Sequence, residues 1–180
     1  MADTDLAAEV NHSGGAYPVV AGWGTINTLG DRFTDLGLTS TAYIITDSNV
    51  MNLYGRNVQR ALQKRGIPAH CFIIPAGETS KSFELAQGIY NWLAELKAER
   101  GHTIVSVGGG VAGDLGGFVA ATYLRGLPFV QVPTSMAAMV DASIGGKVAV
   151  NLPQAKNMVG AYYQPSGVYA EVQCLATLGK

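Results

Sequence analysis

At 180 residues, with 48% hydrophobic and 14% charged content, the chain has material for one well-filled domain and few charges to spare. A formal net charge of −1 argues against a protein that holds nucleic acid by phosphate neutralisation, and no run of about 18 apolar residues marks a membrane span. The acidic start, Met1 to Leu6, lacks the parts of a signal peptide, and Cys71 and Cys174 stand far apart in apolar contexts, so a soluble cytoplasmic protein with two reduced, buried thiols is expected.

Residues 1–15 read as a flexible N-terminal segment, disordered or extended, with Asn11 to Gly15 as its joint, and residues 16–180 as one α/β domain. Tyr17 to Ala21 reads as a strand closed by Gly22 and Gly24, and Thr25 to Phe33 as a short helix capped by Thr25. Ala42 to Thr46 is an apolar strand followed by Asp47-Ser48; Leu53, Val58, Ala61 and Leu62 then form one helical face ending at Gly66. Cys71 to Ile74 is the next strand, stopped by Pro75. After the turn at Gly77, Thr79 or Ser80 is expected to cap a helix carrying Leu85, Ile89, Trp92, Leu93 and Leu96.

The stretch Thr103 to Asp114 organises the rest. It opens as a β-branched run, breaks into Gly108, Gly109 and Gly110, and resumes as a helix near Asp114 whose apolar residues run nearly all round, so that helix is expected to be buried. Glycines let a backbone approach an anion closely, and the free N–H groups of a helix start point at it. The spacing is not G-x-G-x-x-G, and the same pattern also suits a bare strand-to-helix turn. A left-handed conformation is expected at Gly110. Pro128 to Val132 is a further strand, ended by Pro133-Thr134. Beyond it come a short helix over Ser135 to Ala142, a glycine turn at Ile144 to Lys147, a strand at Val148 to Asn151, a segment Gln154 to Gly160 that carries a basic and an amide side chain together, where Lys156-Asn157 also suits a plain solvated loop, and extended pieces at Tyr162 to Pro165 and Val168 to Glu171.

This alternation predicts a Rossmann-like α/β fold: an open, mostly parallel sheet flanked by helices, with extra short strands after residue 145. Right-handed crossovers put the strand ends on one edge, which then carries Asp47, the Pro75 to Lys81 turn, Gly108 to Gly110 and Thr134. Ligands of such sheets bind at that edge. A dinucleotide is the expected ligand, its ribose on the acidic strand end and its pyrophosphate on the glycine amides. Asp47 serves equally well as a helix cap.

From Pro75 onward the chain resembles the 3-dehydroquinate synthase family. The carrying blocks are Pro75-Ala76-Gly77-Glu78-Thr79-Ser80-Lys81, the run Gly108 to Ala121, Arg125-Gly126, Pro133-Thr134 with Val140 to Lys147, and Lys156-Asn157 with Gly160 and Pro165. Ser135 stands where the family usually has threonine, and Ala142 where it has serine. The family continues into a helical second domain that holds zinc (or cobalt). Since His12, His70 and His102 show no ligand spacing, no metal site is expected in this chain. The chain therefore looks like the NAD-binding half, inactive alone, of an enzyme that converts 3-deoxy-D-arabino-heptulosonate 7-phosphate to 3-dehydroquinate and phosphate.

The resemblance implies roles for individual residues. Asp47, Asn49, Glu78 and Lys81 would hold the adenosine side of NAD, with Gly109, Gly110, Val111 and Gly113 at the pyrophosphate. Asp114, Thr134, Ser135, Lys147 and Lys156 would surround the nicotinamide end, and Cys174 to Thr177 would close over the adenine. Asp141, Lys147 and Asn157 would face the seven-carbon sugar-acid phosphate, and Arg125 would reach its phosphate from the neighbouring subunit of a homodimer. Related sugar-phosphate cyclases and NAD-dependent glycerol-type dehydrogenases share parts of this pattern and are the alternatives.

Overall fold

The apolar, β-branched runs form the main sheet. In a computed structural model, which describes residues 6–178, the chain builds β1 (Leu6–His12), β2 (Gly15–Gly22), β3 (Ala42–Asp47), β4 (Ala69–Ile74), β5 (Thr103–Gly108), β6 (Phe129–Pro133), β7 (Lys147–Leu152), β8 (Ala155–Tyr162) and β9 (Gly167–Glu171). Seven of these make one sheet in the order β1-β2-β9-β6-β5-β3-β4, while β7 and β8 pair as a separate antiparallel hairpin. Only β1 runs antiparallel to its neighbour in the main sheet.

Helices cover both faces, so the central strands alternate between two cores. On one face Ile44, Val105, Val107, Val130 and Val132 pack with Leu29 and Phe33 of α1 (Leu29–Asp35) and with Val58 and Leu62 of α3 (Arg56–Gln63). On the other, Ile45, Ile104 and Phe129 meet Ile89 and Leu93 of α4 (Phe83–Glu95), Leu115 and Val119 of α5 (Gly110–Thr122), and Val148 and Val150 of β7. None of the helices among the described residues is long and apolar enough to cross a membrane.

Four local expectations change. Residues 1–5 of the expected flexible segment lie outside the described residues; Asn11 to Gly15, read as a flexible joint, is a hairpin in which His12 pairs with Gly15. Thr25 does not cap the first helix. The start there is Gly24, and the carboxylate of Glu171, at the end of β9, accepts from Gly24 N (2.8 Å) and Ile26 N (3.1 Å). The cap of α4 is Ser82, whose hydroxyl accepts from Leu85 N at 3.3 Å, because Glu78–Ser80 is spent in a separate 3-10 turn. Gln154 to Gly160, given no element in the sequence, is mostly β8, held by β7 and lying over α5, with Lys156 and Asn157 exposed.

The packing of α5 explains its small residues. A side chain at Gly113 would come 2.7 Å from Gln131 Oε1, so this position, assigned above to the cofactor, also serves helix-on-sheet contact. The expected helix over Ser135 to Ala142 is present from residue 136 and ends in a π-helical turn, Ala138–Ala142.

Candidate functional site

Register brings the strand ends to one edge: Asp47 lies opposite Ile74, Thr46 opposite Val107, and Gly108 opposite Pro133. There the chain turns from β5 into α5. The residue that needs glycine for its backbone is Gly108, with φ +157°, where a Cβ would also come within 2.8 Å of the Ala112 Cβ. Gly110 is instead the first residue of α5 and is absent from the positive-φ positions, which corrects the expectation made for it. Few side chains elsewhere tolerate φ of this kind, so the turn is specified by Gly108.

Gly109 precedes the helix with no side-chain cap, which leaves the first amides of α5, Gly110 and Val111 among them, facing outward at the positive end of the helix dipole. Space is kept above them: a Cβ at Gly110 would find only the Ala142 Cβ, at 3.7 Å, and one at Gly109 the Ser135 hydroxyl, at 3.3 Å. Thr134 N donates to Gly108 O at 2.9 Å and fixes the next loop against the turn. Asp47 caps α2 (Ser48–Val50), accepting at Oδ1 from Asn49 N (2.8 Å) and Val50 N (3.0 Å). Its Oδ2 lies 3.6 Å from where a Gly108 Cβ would stand, so one carboxylate oxygen caps and the other faces the turn.

The second half of the site forms where the Pro75 to Lys81 turn meets the β7–β8 hairpin. Lys81 is only 4% exposed; its Nζ pairs with Asp114 on α5 and donates to Asn157 Oδ1 on β8. The reading above set Lys81 with Asp47 and Asn49. The structure sets it instead among Asp114 and Asn157, because β8 lies over α5 and the turn before α4 reaches under it. Asn157 holds a left-handed conformation, φ 58°, which asparagine tolerates better than most residues. Burial pushes the Asp114 carboxyl above its usual range, and the Lys81 ammonium beside it opposes that rise.

Around this core the charges thin out toward solvent. Lys156 Nζ stands 3.9 Å from Glu78 Oε1, and Lys147 Nζ 3.7 Å from Asp141 Oδ1, both pairs exposed. Asp114, Asp141, Lys147, Asn157, Met158 and Tyr162 line a cleft of about 500 Å³. Its outer wall is open: Tyr162 is 83% and Met158 68% exposed.

Asn151, which the sequence reading passed over, ties these parts together. Its Nδ2 donates to Glu78 Oε1 at 2.8 Å and its Oδ1 accepts from Asn157 N at 2.9 Å. The only available signal was its place at the end of a short strand next to a Lys-Asn pair.

Arg125 is not brought to this cleft. It lies exposed just beyond the C-terminal end of α5, a helix whose thirteen residues span about 20 Å, while the glycine turn is at the other end. Leu124 and Arg125 both take left-handed conformations there, φ 50° and 67°, in a turn that points them outward. At the far side of the glycine turn, Thr177 Oγ1 shares a hydrogen bond of 2.6 Å with Tyr54 OH, which lays the 3-10 segment Val172–Thr177 against the helical turns that follow Asp47.

Cys174 is fully buried in that segment. Burial, reinforced by the Glu171 carboxylate, pushes its thiol up to about 12. Iodoacetamide at pH 8 is expected to leave Cys174 unmodified in the folded chain and to label it after denaturation; labelling at the rate of a free thiol would contradict this burial. A raised folded value also has a sign: this thiol's contribution is whole below about pH 9 and is lost as pH rises through about 12. Cys71 and Cys174 are both free. Among the described residues no three His, Cys, Asp or Glu side chains gather as a metal cluster.

A family model described as "3-dehydroquinate synthase N-terminal" matches residues 71–180. A 3-dehydroquinate synthase from Caldanaerobacter subterraneus is 45% identical over 165 residues, 92% of this chain and 46% of the relative. The chain thus spans about half the length of the curated relatives it matches. Among solved structures, 2-deoxy-scyllo-inosose synthase complexed with carbaglucose-6-phosphate, NAD+ and Co2+ superposes with TM-score 0.89 at 26% identity, covering 96% of this chain and 47% of that one. A 2-epi-5-epi-valiolone synthase from Streptomyces hygroscopicus with NAD+ and Zn2+ bound gives TM-score 0.81 at 30% identity, over 96% and 47%.

Proposed function

The chain belongs to the 3-dehydroquinate synthase family, and from that premise we propose that it is the NAD-binding half of an enzyme that converts 3-deoxy-D-arabino-heptulosonate 7-phosphate to 3-dehydroquinate and phosphate in the cytoplasm. The observation that carries the reading is the uncapped α5 start beside Gly108, with room for an anion at Gly109 and Gly110. These residues fit the pyrophosphate of NAD: they offer free amides and no side chain where it would lie.

Each part of the edge then has a task. The amides of Gly110 and Val111 hold the pyrophosphate, while the free oxygen of Asp47, with Asn49, takes the adenosine side, and Glu78 stands beside Lys156 in the other half of the site. The backbone from Cys174 to Thr177 closes over the adenine. Thr134, Ser135, Lys147 and Lys156 border the nicotinamide end, with Asp114 held in place by Lys81. NAD, when bound, supplies the reversible oxidation of a substrate hydroxyl, as a cofactor that is returned unchanged. Asp141, Lys147 and Asn157 face the substrate, and Lys147 offers a cation to its negative groups. Arg125, remote from this cleft, reaches the phosphate of a substrate bound in a second copy of the chain. The zinc or cobalt ion of the whole enzyme belongs to the half that this chain does not span.

Titration of NAD into the 15N-labelled chain, followed by NMR, tests the reading. Weak binding is expected, with a dissociation constant above the micromolar range because one wall of the cleft is open, and amide shifts at Gly109, Gly110 and Val111. Gly110→Val is expected to abolish those shifts while the melting temperature stays near that of the parent, since the position has space and an ordinary backbone. NAD-induced shifts confined to other residues, or full binding by the variant, would sink the phosphate assignment.

Activity is assayed as phosphate release with NAD and zinc present. Residues 1–180 alone are expected to be inert, and the same residues joined to the remaining half of a 3-dehydroquinate synthase to be active. Glucose 6-phosphate as a second substrate tests the related-cyclase reading, and net NADH production tests the dehydrogenase one. Turnover by the 180-residue chain alone would overturn the claim that it is half of the machinery.

A further inference from the structure

We propose that Asn151 is a positioning residue of this site, holding Glu78 and the backbone of Asn157 in one arrangement; the proposal rests on the nucleotide reading above. The β7–β8 ladder is regular from Lys147↔Tyr162 to Val150↔Val159 and resumes at Leu152↔Ala155. Between those pairs β7 supplies one residue, Asn151, and β8 supplies three: Lys156, Asn157 and Met158. A bulge of this kind re-aims side chains, and its surplus residues need other partners.

Asn151 provides them. Its main-chain N–H donates at 2.9 Å to Lys81 O, outside the hairpin, so the strand is tied to the turn before α4. Its side-chain Oδ1 takes the Asn157 N–H that the ladder leaves without a facing carbonyl, at 2.9 Å. Its Nδ2 donates to Glu78 Oε1 at 2.8 Å. Asn157, held in its left-handed conformation, turns its own Oδ1 onto Lys81 Nζ, and Lys81 pairs with Asp114. One side-chain amide thus links the 3-10 turn and the bulge, two parts of the edge that approach the cofactor from different elements. The role needs a donor and an acceptor on a short stem: aspartate lacks the donor at neutral pH, and alanine lacks both.

Two variants separate the two bonds, read in the full 180-residue chain by amide exchange at Asn157 and by NAD titration. Asn151→Ala is expected to speed Asn157 exchange at least tenfold and to weaken NAD binding at least tenfold. Asn151→Asp keeps an acceptor for Asn157 but sets a carboxylate against Glu78. It is expected to leave Asn157 protected and still lose tenfold in NAD affinity, with a melting temperature near that of the parent. A merely structural asparagine would lower melting in both variants and leave affinity alone.

Both variants binding NAD within twofold of the parent would overturn the proposal. If the parent itself shows no NAD-dependent shifts, the nucleotide reading falls and the exchange data decide the positioning claim by themselves: unchanged protection of Asn157 in Asn151→Ala overturns it, and faster exchange there, with protection kept in Asn151→Asp, sustains it.

Discussion

Lys81→Met is expected to lower stability by about 3–5 kcal/mol, which for a domain of this size is roughly 6–20 °C in melting temperature. The ammonium is 4% exposed and is held by Asp114 and Asn157. Its loss leaves the Asp114 carboxylate, already raised by burial, without the one cation that opposes the rise most strongly. The double variant Lys81→Met with Asp114→Leu removes the buried ammonium and its half-buried partner, and most of the lost stability should return, because an apolar pair of similar volume costs no desolvation. NAD binding should not return with it, since the recovered fold no longer holds Asn157 by a charged partner. Thermal melts of the three proteins, with NAD titrations, check this. A single variant that melts within a degree or two of the parent would show that the pair contributes nothing.

The same linkage gives Asp114 a pH signature. Its folded value lies above its unfolded one, so the stability it adds is whole below the ordinary carboxylate range and is lost as pH rises through the folded value.

Gly160→Ala is the second substitution expected to act strongly, by about 1–3 kcal/mol. Gly160 lies on β8 opposite Ala149. A Cβ there would fall inside the contact distance of the Val148 carbonyl oxygen and within 2.9 Å of the Ala149 Cα. Neither is the end of a flexible side chain, so the two strands must part. The hairpin carries Lys147, Asn151, Lys156 and Asn157, and Val148 anchors it in the core beneath α5. Melting should fall, and NAD binding should fall with it. This is the reverse of Gly110→Val, where binding should fail without the fold. An unaltered melting curve for Gly160→Ala would show that the hairpin yields easily and does not hold the site.

Much of this was legible in the residues. Ala42 to Thr46, Thr103 to Gly108 and Pro128 to Val132 are β-branched runs between helical faces of period 3.6, and that alternation dictates parallel strands with their carboxyl ends on one edge. The glycine turn and Asp47 therefore had to share that edge. What misled was local chemistry with two equal offers. Thr25, Thr79, Ser80 and Ser82 are all competent caps, and only the position of Glu171 and the 3-10 turn at Glu78–Ser80 chose between them. The strand order, with β9 inserted between β2 and β6, has no local signal, because pairing across so many residues depends on the whole sheet.

The sequence by itself determined the covalent and periodic facts: a glycine at residue 108 where the backbone turns, apolar faces for two cores, and no surplus of positive charge. Tertiary structure alone decided which polar groups meet. Lys81 and Asp114 are 33 residues apart, and Lys81 and Asn157 are 76 apart; they touch because β8 lies over α5. Their residue types carry no mark of that contact, since a lysine is as much at home in water as in a pair until burial removes the water. Asn151 is the clearest case: within β7 it is an ordinary polar residue at a strand end, and its role exists only where a bulge, a turn and a buried lysine converge on its amide.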